Sequence, residues 1–229
     1  MISHLPEVVR RWLKRSNVIG KEMISSVYLK QKGKMRISPS GRWLPVKAEQ
    51  HNTIDPPGFL WLADVRVAPL IHLYGKDSYR SGKGHMLIKL FSLIPVTNVS
   101  GPEIDQGALL RYLAETVWFP TAALASYITW KEIDSSRAEA TMSYGDVTAS
   151  AQFSFTTEGD FESLDAQRYY DRKTGATLAH WHIQTDRSRY QTFEGFRIPA
   201  KSDVTWKLKD GDFTWYQVEI TNAEYRSGK

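Results

Sequence analysis

The sequence predicts a mainly β (α+β) fold: one large curved antiparallel sheet or half-barrel, with a short N-terminal helix and a central helix covering the concave face. Three observations carry this expectation. Most of the 229 residues alternate apolar and polar side chains with a period of two, most plainly where Val147, Ala149, Ala151, Phe153 and Phe155 interleave with Thr148, Ser150, Gln152 and Ser154. The breaks between alternating runs are short turn signals, among them Gly145-Asp146, Glu158-Gly159-Asp160, Lys173-Thr174-Gly175 and Asp210-Gly211-Asp212. Connections this short pair sequence neighbours antiparallel. Eight Trp and eleven Tyr, against five Met and no Cys, favour sheet surfaces and aromatic interiors over a helical bundle.

The elements follow in order. Residues 6–15 read as a helix, with Pro6 in its first turn, Val8, Val9, Trp12 and Leu13 on one face, and Arg10, Arg11, Lys14 and Arg15 elsewhere. Strands are expected over about 23–38, 43–53, 59–68, 71–79 and 85–93, punctuated by Gly and Pro clusters. Beyond the central helix the alternation resumes over about 127–133, 138–144, 147–155, 161–170, 177–185, 190–193, 197–207 and 213–225. About a dozen strands exceed what a flat open sheet holds, so the sheet should curl. No linker, low-complexity stretch or fixed-period repeat divides the chain, and residues 1–229 read as a single domain.

The central helix is expected over residues 105–117. Ser100-Gly101-Pro102 breaks the preceding strand, Asp105 can cap the helix, and Leu109, Leu110, Leu113 and Val117 form an apolar stripe. Gly107, Arg111 and Glu115 recur at four-residue spacing on a second line. This set has two readings. Arg111 and Glu115, with Glu103 or Asp105 nearby, could clamp a polar group or act as an acid/base set. Equally, they could form an arginine–carboxylate network that pins helix to sheet, with the acids near the N-terminus complementing the helix dipole.

Composition excludes several classes. Without Cys there are no disulfides, no thiol catalysis and no Cys-ligated metal, and no cofactor is expected. There is no G-x-S-x-G, no dinucleotide fingerprint and no kinase signature. Ser81-Gly82-Lys83-Gly84 lacks phosphate-loop spacing and joins two strands, so it reads as a turn. Glu49, Asp64, Asp77 and Glu103 are scattered and suggest no glycosidase pair. His180 and His182, two apart on a strand, share a face as metal ligands would, but the only third donor in view along the sequence is Asp186. Two surface histidines flanking a core Trp181 is the alternative.

Charge is uneven: residues 1–50 hold eleven Lys and Arg against three acids, and the remainder nineteen against twenty-two. The excess points to an anionic neighbour for the N-terminal quarter, such as a membrane surface, or else to a solvated basic face. Lys30, Lys32, Lys34 and Arg36 lie on one strand face, yet no RNA- or DNA-binding motif accompanies them, so nucleic acid is not an expected partner. The basic first helix could rest on a membrane surface or cap the sheet edge. No apolar run is long enough to span a bilayer and the first residues lack a signal peptide's apolar stretch, which predicts a cytoplasmic chain as given. An upstream anchor would make it periplasmic or membrane-associated.

Several phrases together, LPEVVRRWLKRSNVIG, GKMRISPSGRWLPVKAEQ, DPPGFLWLADV, GPEIDQGALLRYLAETVWFPTAAL and FEGFRIPAKSDVTW with FTWYQVEI, resemble a bacterial domain-of-unknown-function family over nearly the whole chain. Its most specific phrase is E-x-D followed by RYLAE-x-x-WFP in the central helix. The strand pattern of that family is similar to the half-barrel of periplasmic lipoprotein carriers, which implies an aromatic-lined concavity for acyl chains. Relatives with an N-terminal apolar anchor imply the periplasmic alternative.

The leading expectation is therefore a non-catalytic protein binding a lipid or other apolar or amphipathic ligand. Trp43, Phe59, Trp61, Leu109, Leu113 and Trp118 would line the cavity, and Arg111 and Glu115, with Glu103, would fix a polar head. A rival expectation is a hydrolase or isomerase using Asp105, Arg111 and Glu115. A third is a structural or membrane-surface module using the basic N-terminal quarter.

Overall fold

The computed structural model describes residues 2–171 and 175–228; the turn expected at Lys173 and Thr174 lies outside the described residues. Helix α1 (Glu7–Arg15) follows Pro6 and buries Val8, Val9, Trp12 and Leu13. The ring of Trp12 sits 5.9 Å from that of Trp130 and 5.6 Å from that of Phe155. The apolar face of α1 thus caps one end of the sheet, and no part of it is left for a membrane surface.

Six strands follow: β1 (Ile24–Met35), β2 (Leu44–Thr53), β3 (Gly58–Ala68), β4 (Ile71–Arg80), β5 (Lys83–Leu90) and β6 (Ile94–Val99). Helix α2 (Pro102–Glu115) and two 3-10 turns, Thr116–Trp118 and Pro120–Leu124, lead to β7 (Ile128–Glu132), β8 (Arg137–Tyr144), β9 (Val147–Phe155), β10 (Phe161–Tyr170) and β11 (Thr177–Thr185). Then come β12 (Tyr190–Phe193), β13 (Phe196–Pro199), β14 (Lys201–Leu208) and β15 (Gly211–Ser227). Thirteen strands form one antiparallel sheet in the order β6-β5-β4-β3-β2-β1-β15-β14-β11-β10-β9-β8-β7, and β12 and β13 form a separate hairpin.

This order explains the helix. β6 and β7 are consecutive in sequence but lie at opposite edges of the sheet, so the connection must cross one face. Helix α2 packs on β4 and β5 from one half and on β8, β9 and β10 from the other, which requires the sheet to curl around it. Leu109, Leu110, Tyr112 and Leu113 are fully buried there, and so is Phe119 just beyond. The closest approach is at Gly84 of β5, where a Cβ would lie 2.5 Å from the Ile104 carbonyl oxygen and 2.9 Å from the Ala108 Cβ. Gly84→Ala should therefore push helix from sheet and cost about 1–3 kcal/mol, readable as a lower denaturant midpoint.

Four local expectations change. β6 was not foreseen, because Ile94, Val96 and Val99 are exposed and leave no buried-face alternation to detect. The strand expected over 197–207 is two: Pro199 has no N–H, and the backbone N–H of Ala200 bonds the Arg189 carbonyl at 2.9 Å, so the chain changes sheets there. The strand expected to run on to Leu93 ends at Leu90 in a turn. The central helix starts at Pro102 rather than 105 and stops at Glu115, with Gly101 as its N-cap; Asp105 does not cap it.

The interior is rich in tyrosine hydroxyls. Tyr112 donates to the Thr53 carbonyl at 2.9 Å and Tyr127 to the Ile54 carbonyl at 2.6 Å. Burial raises both hydroxyls, Tyr127 to about 12 and Tyr112 well above its ordinary range; burial likewise raises Tyr190, Tyr216 and Tyr225. A raised phenol keeps its proton in the folded state while the unfolded chain loses it, so this contribution is complete below the ordinary value of 10.0 and fades as pH climbs through about 12 for Tyr127. Stability should fall above pH 10.0, with the tyrosinate absorbance of the buried phenols rising together with unfolding rather than before it.

Candidate functional site

Arg111 leaves α2 toward the inner face of β2, β3 and β4, and every guanidinium nitrogen is engaged. Nε donates to Glu115 at 2.8 Å, one terminal nitrogen to Asp77 at 2.6 Å and the other to the Gln50 amide oxygen at 3.1 Å. Gln50 in turn donates to Glu115 at 2.5 Å and to Asn52 at 3.0 Å, while Gln31 donates to Gln50 at 3.2 Å and the Trp61 indole donates to Gln31 at 3.0 Å. The guanidinium also lies 4.7 Å from the Phe59 ring centre and 5.1 Å from that of Trp61. Burial works to lower its pKa, but Glu115 and Asp77 outweigh it and raise the value. The Arg111 side chain is 15% exposed, and its two carboxylate partners less still.

The sequence-predicted set is only partly assembled. Phe59, Trp61, Arg111 and Glu115 meet in this network, and Leu109 and Leu113 are buried in the helix–sheet contact beside it. Asp105 belongs elsewhere: it accepts from the Gly84 backbone at 2.7 Å and from Lys83 at 3.0 Å, tying the start of α2 to β5. It shares no partner with Arg111 or Glu115, so the trio of the enzyme expectation is split between two networks. Glu103 is exposed on the first turn of α2 and meets neither. Trp118 donates to the Pro199 carbonyl at 3.2 Å, against the β13 hairpin. Trp43 points to the opposite face, under Lys34 and Arg36.

The partners missed on the sequence were Asp77, Gln31, Gln50 and Asn52. Their signal was parity: each is a polar residue at an inward position of a strand whose other inward residues are apolar. Arg168 of β10 was also missed. Its guanidinium lies over the Trp181 ring at 4.8 Å beside Gly107, with no hydrogen-bonding acceptor among the described residues. Burial pushes its pKa down to about 10, against the pull of Asp77.

The open space lies on the other face. A groove of about 720 Å³ crosses the outer side of β1 to β5, with Leu62, Tyr74 and Leu87 along it and Lys30, Lys32, Lys47, Lys76 and Lys89 around it. Leu62 is 45% and Tyr74 40% exposed. Among the described residues the acids lining it are Glu49 and Asp64, and Asp64 is held by His72 at 2.5 Å. Lys47, Lys76 and Lys89 form no ion pair among the described residues. A second groove of about 540 Å³ continues it past Lys34, Trp43 and Lys201. The beads of the early lysine run, Lys30, Lys32 and Lys34, all face these grooves because β1 places alternate residues outward.

His180 and His182 face outward from β11. The third donor is not Asp186, which caps the 3-10 turn Arg187–Arg189, but Asp165, directly opposite His182 on β10.

Fold and site together define a half-barrel, a thirteen-stranded antiparallel sheet wrapped on one central helix, with a polar network inside and a basic groove outside. The chain belongs to DUF6920, a family of unknown function, whose pattern matches residues 3–225. Two solved structures share the fold. A DUF1329 family protein from Desulfovibrio piger is 12% identical, covers 97% of this chain and 93% of its own, and superimposes with a TM-score of 0.54. A putative outer membrane lipoprotein-sorting protein domain from Vibrio parahaemolyticus is 7% identical, covers 96% and 93%, and gives a TM-score of 0.50. No curated protein sequence matches the chain.

Proposed function

We propose that this chain is a non-catalytic binding protein for an amphipathic anion of the lipid class, held in the outer groove. The observation that carries this is the pairing of an apolar floor, exposed at Leu62 and Tyr74 and continued by the half-buried Leu87, with three lysines that form no ion pair among the described residues, in about 720 Å³ of open volume. A groove of that size suits a small amphiphile. The acyl part would cover the floor, and a phosphate or carboxylate would meet Lys47, Lys76 and Lys89. The space beneath α2, where the sequence placed the ligand, is occupied by helix side chains and by the closed Arg111 network.

A membrane is the natural source of such a ligand, and the groove ends beside apolar tips. Leu70 in the β3–β4 turn is 89% exposed and Leu93 in the β5–β6 turn 79%, with Phe91 and Ile94 adjoining. The backbones of Leu70, Phe91 and Ser92 lie in the left-handed region at φ 65°, 52° and 61°, an unfavourable conformation for side-chain-bearing residues. Ser92 and Lys89 line the groove as well, so a bilayer touching the tips would meet its mouth. The fold shared with a lipoprotein-sorting domain supports the reading, and supports placing the chain in the periplasm rather than in the cytoplasm. No described helix is long and apolar enough to cross a membrane.

The test is native mass spectrometry of the purified chain with phosphatidylglycerol and phosphatidylcholine, paired with vesicle flotation. Adducts and flotation with the anionic lipid, weakened by salt, are expected. Equal behaviour toward both lipids, or binding to neither, would sink the proposal.

A further inference from the structure

We propose that Asp165, His180 and His182 form a binding site for one divalent transition-metal ion of the Zn2+ type on the outer face of β10 and β11. The backbone builds the site. Strand periodicity sets His180 and His182 on the same side of β11, and the β10–β11 register places Asp165 opposite His182 and diagonal to His180. The Nε2 of His180 lies 2.6 Å and the Nδ1 of His182 2.8 Å from the same Oδ1 of Asp165. All three donor atoms fall within 4.8 Å of one another, and the two rings stand edge to face at 81°. Both imidazole nitrogens therefore aim at one point from different directions.

That convergence is the geometry of a metal centre in its empty form. Ligand bonds of about 2.0–2.2 Å around a tetrahedral ion set donor–donor separations near 3.3 Å, so the observed contacts need open by only about half an ångström. The room exists: His180 is 43% and Asp165 33% exposed at the side chain. In the metal-free cluster each ring donates an N–H to Asp165. Two imidazoles and one carboxylate suit Zn2+, Co2+ or Ni2+ and disfavour Mg2+ and Ca2+, which take oxygen ligands. Lys207, opposite His180 on β14, is itself held at 2.5 Å by Asp212. A fourth position faces solvent and would take water or a donor from a partner. The site is separate from the groove on β1 to β5 and stands whether or not that groove binds lipid.

The test is calorimetric titration of the tag-free full chain with Zn2+, repeated with Co2+ for its visible absorption, alongside Asp165→Asn, His180→Gln and His182→Gln, with His85→Gln as control. One ion per chain at micromolar affinity or tighter is expected, with four-coordinate Co2+ absorption. Each ligand variant should weaken binding at least tenfold, while His85→Gln leaves it unchanged. Circular dichroism identifies any variant that fails to fold; His180→Gln, at the most exposed position, then decides. Affinity no better than millimolar, or tight binding that survives all three ligand changes, would overturn the assignment.

Discussion

Arg111→Met should destabilise the fold by about 3–5 kcal/mol, the cost of stranding buried charge. The substitution keeps the volume against Phe59 and Trp61 but removes the one cation hydrogen-bonded to both Asp77 and Glu115. Gln50 can still donate to Glu115, while Asp77 loses its ion-pair partner altogether. Chemical denaturation reads the loss directly. Adding Asp77→Asn and Glu115→Gln to Arg111→Met should recover part of it, because two neutral amides can bond to one another where two carboxylates repel. Arg168→Met makes the contrast: this guanidinium has no acceptor among the described residues, and burial already holds its pKa down to about 10, so replacing it should cost little or stabilise. Equal losses at the two arginines would show that the Arg111 network is not what fastens α2 to the sheet.

The second large effect is on binding. Reversing Lys47, Lys76 and Lys89 to Glu should weaken capture of an anionic amphiphile by at least ~100-fold, since each lysine near an anionic lipid surface contributes about 1 kcal/mol and reversal adds repulsion. The unfolding midpoint should stay put, because these side chains have no ion pairs to lose among the described residues. Leu62→Asp tests the apolar half of the same groove: its side chain is 45% exposed, so stability is spared while affinity falls about tenfold. Binding that survives both changes would place the ligand elsewhere, and the inner face near Arg168 would be the next position to alter.

The strand pattern and both helices could be read from the chain because their signals are local. Alternation in Val147 to Phe155 marks a half-buried strand wherever that strand sits, and the apolar spacing of Leu109, Leu110 and Leu113 marks a helix. β6 escaped because both its faces meet solvent. The start of α2 was misplaced because Asp105 has a cap-forming side chain that instead accepts from the backbone N–H of Gly84 on β5.

The candidate site was less legible, for a related reason. Arg111 and Glu115 were visible as a pair one helical turn apart, and Phe59 and Trp61 as aromatics on one strand. Glu103 and Trp43 joined the expectation by chemical type, and the fold sends both away from it. Polar residues at inward positions, Gln31 and Gln50, carried a signal that parity alone would have revealed.

By itself the sequence determined a curved antiparallel sheet with two helices, an arginine–carboxylate pair on the central one, and two histidines on one strand face. Each follows from residues within a few positions of one another. Tertiary structure decided that Asp77 rather than Glu103 completes the Arg111 network, that Asp165 rather than Asp186 joins the histidines, and that the open groove lies outside the sheet instead of beneath the helix. Those three depend on strand register and on the curl of thirteen strands, which are fixed by packing between residues distant in sequence.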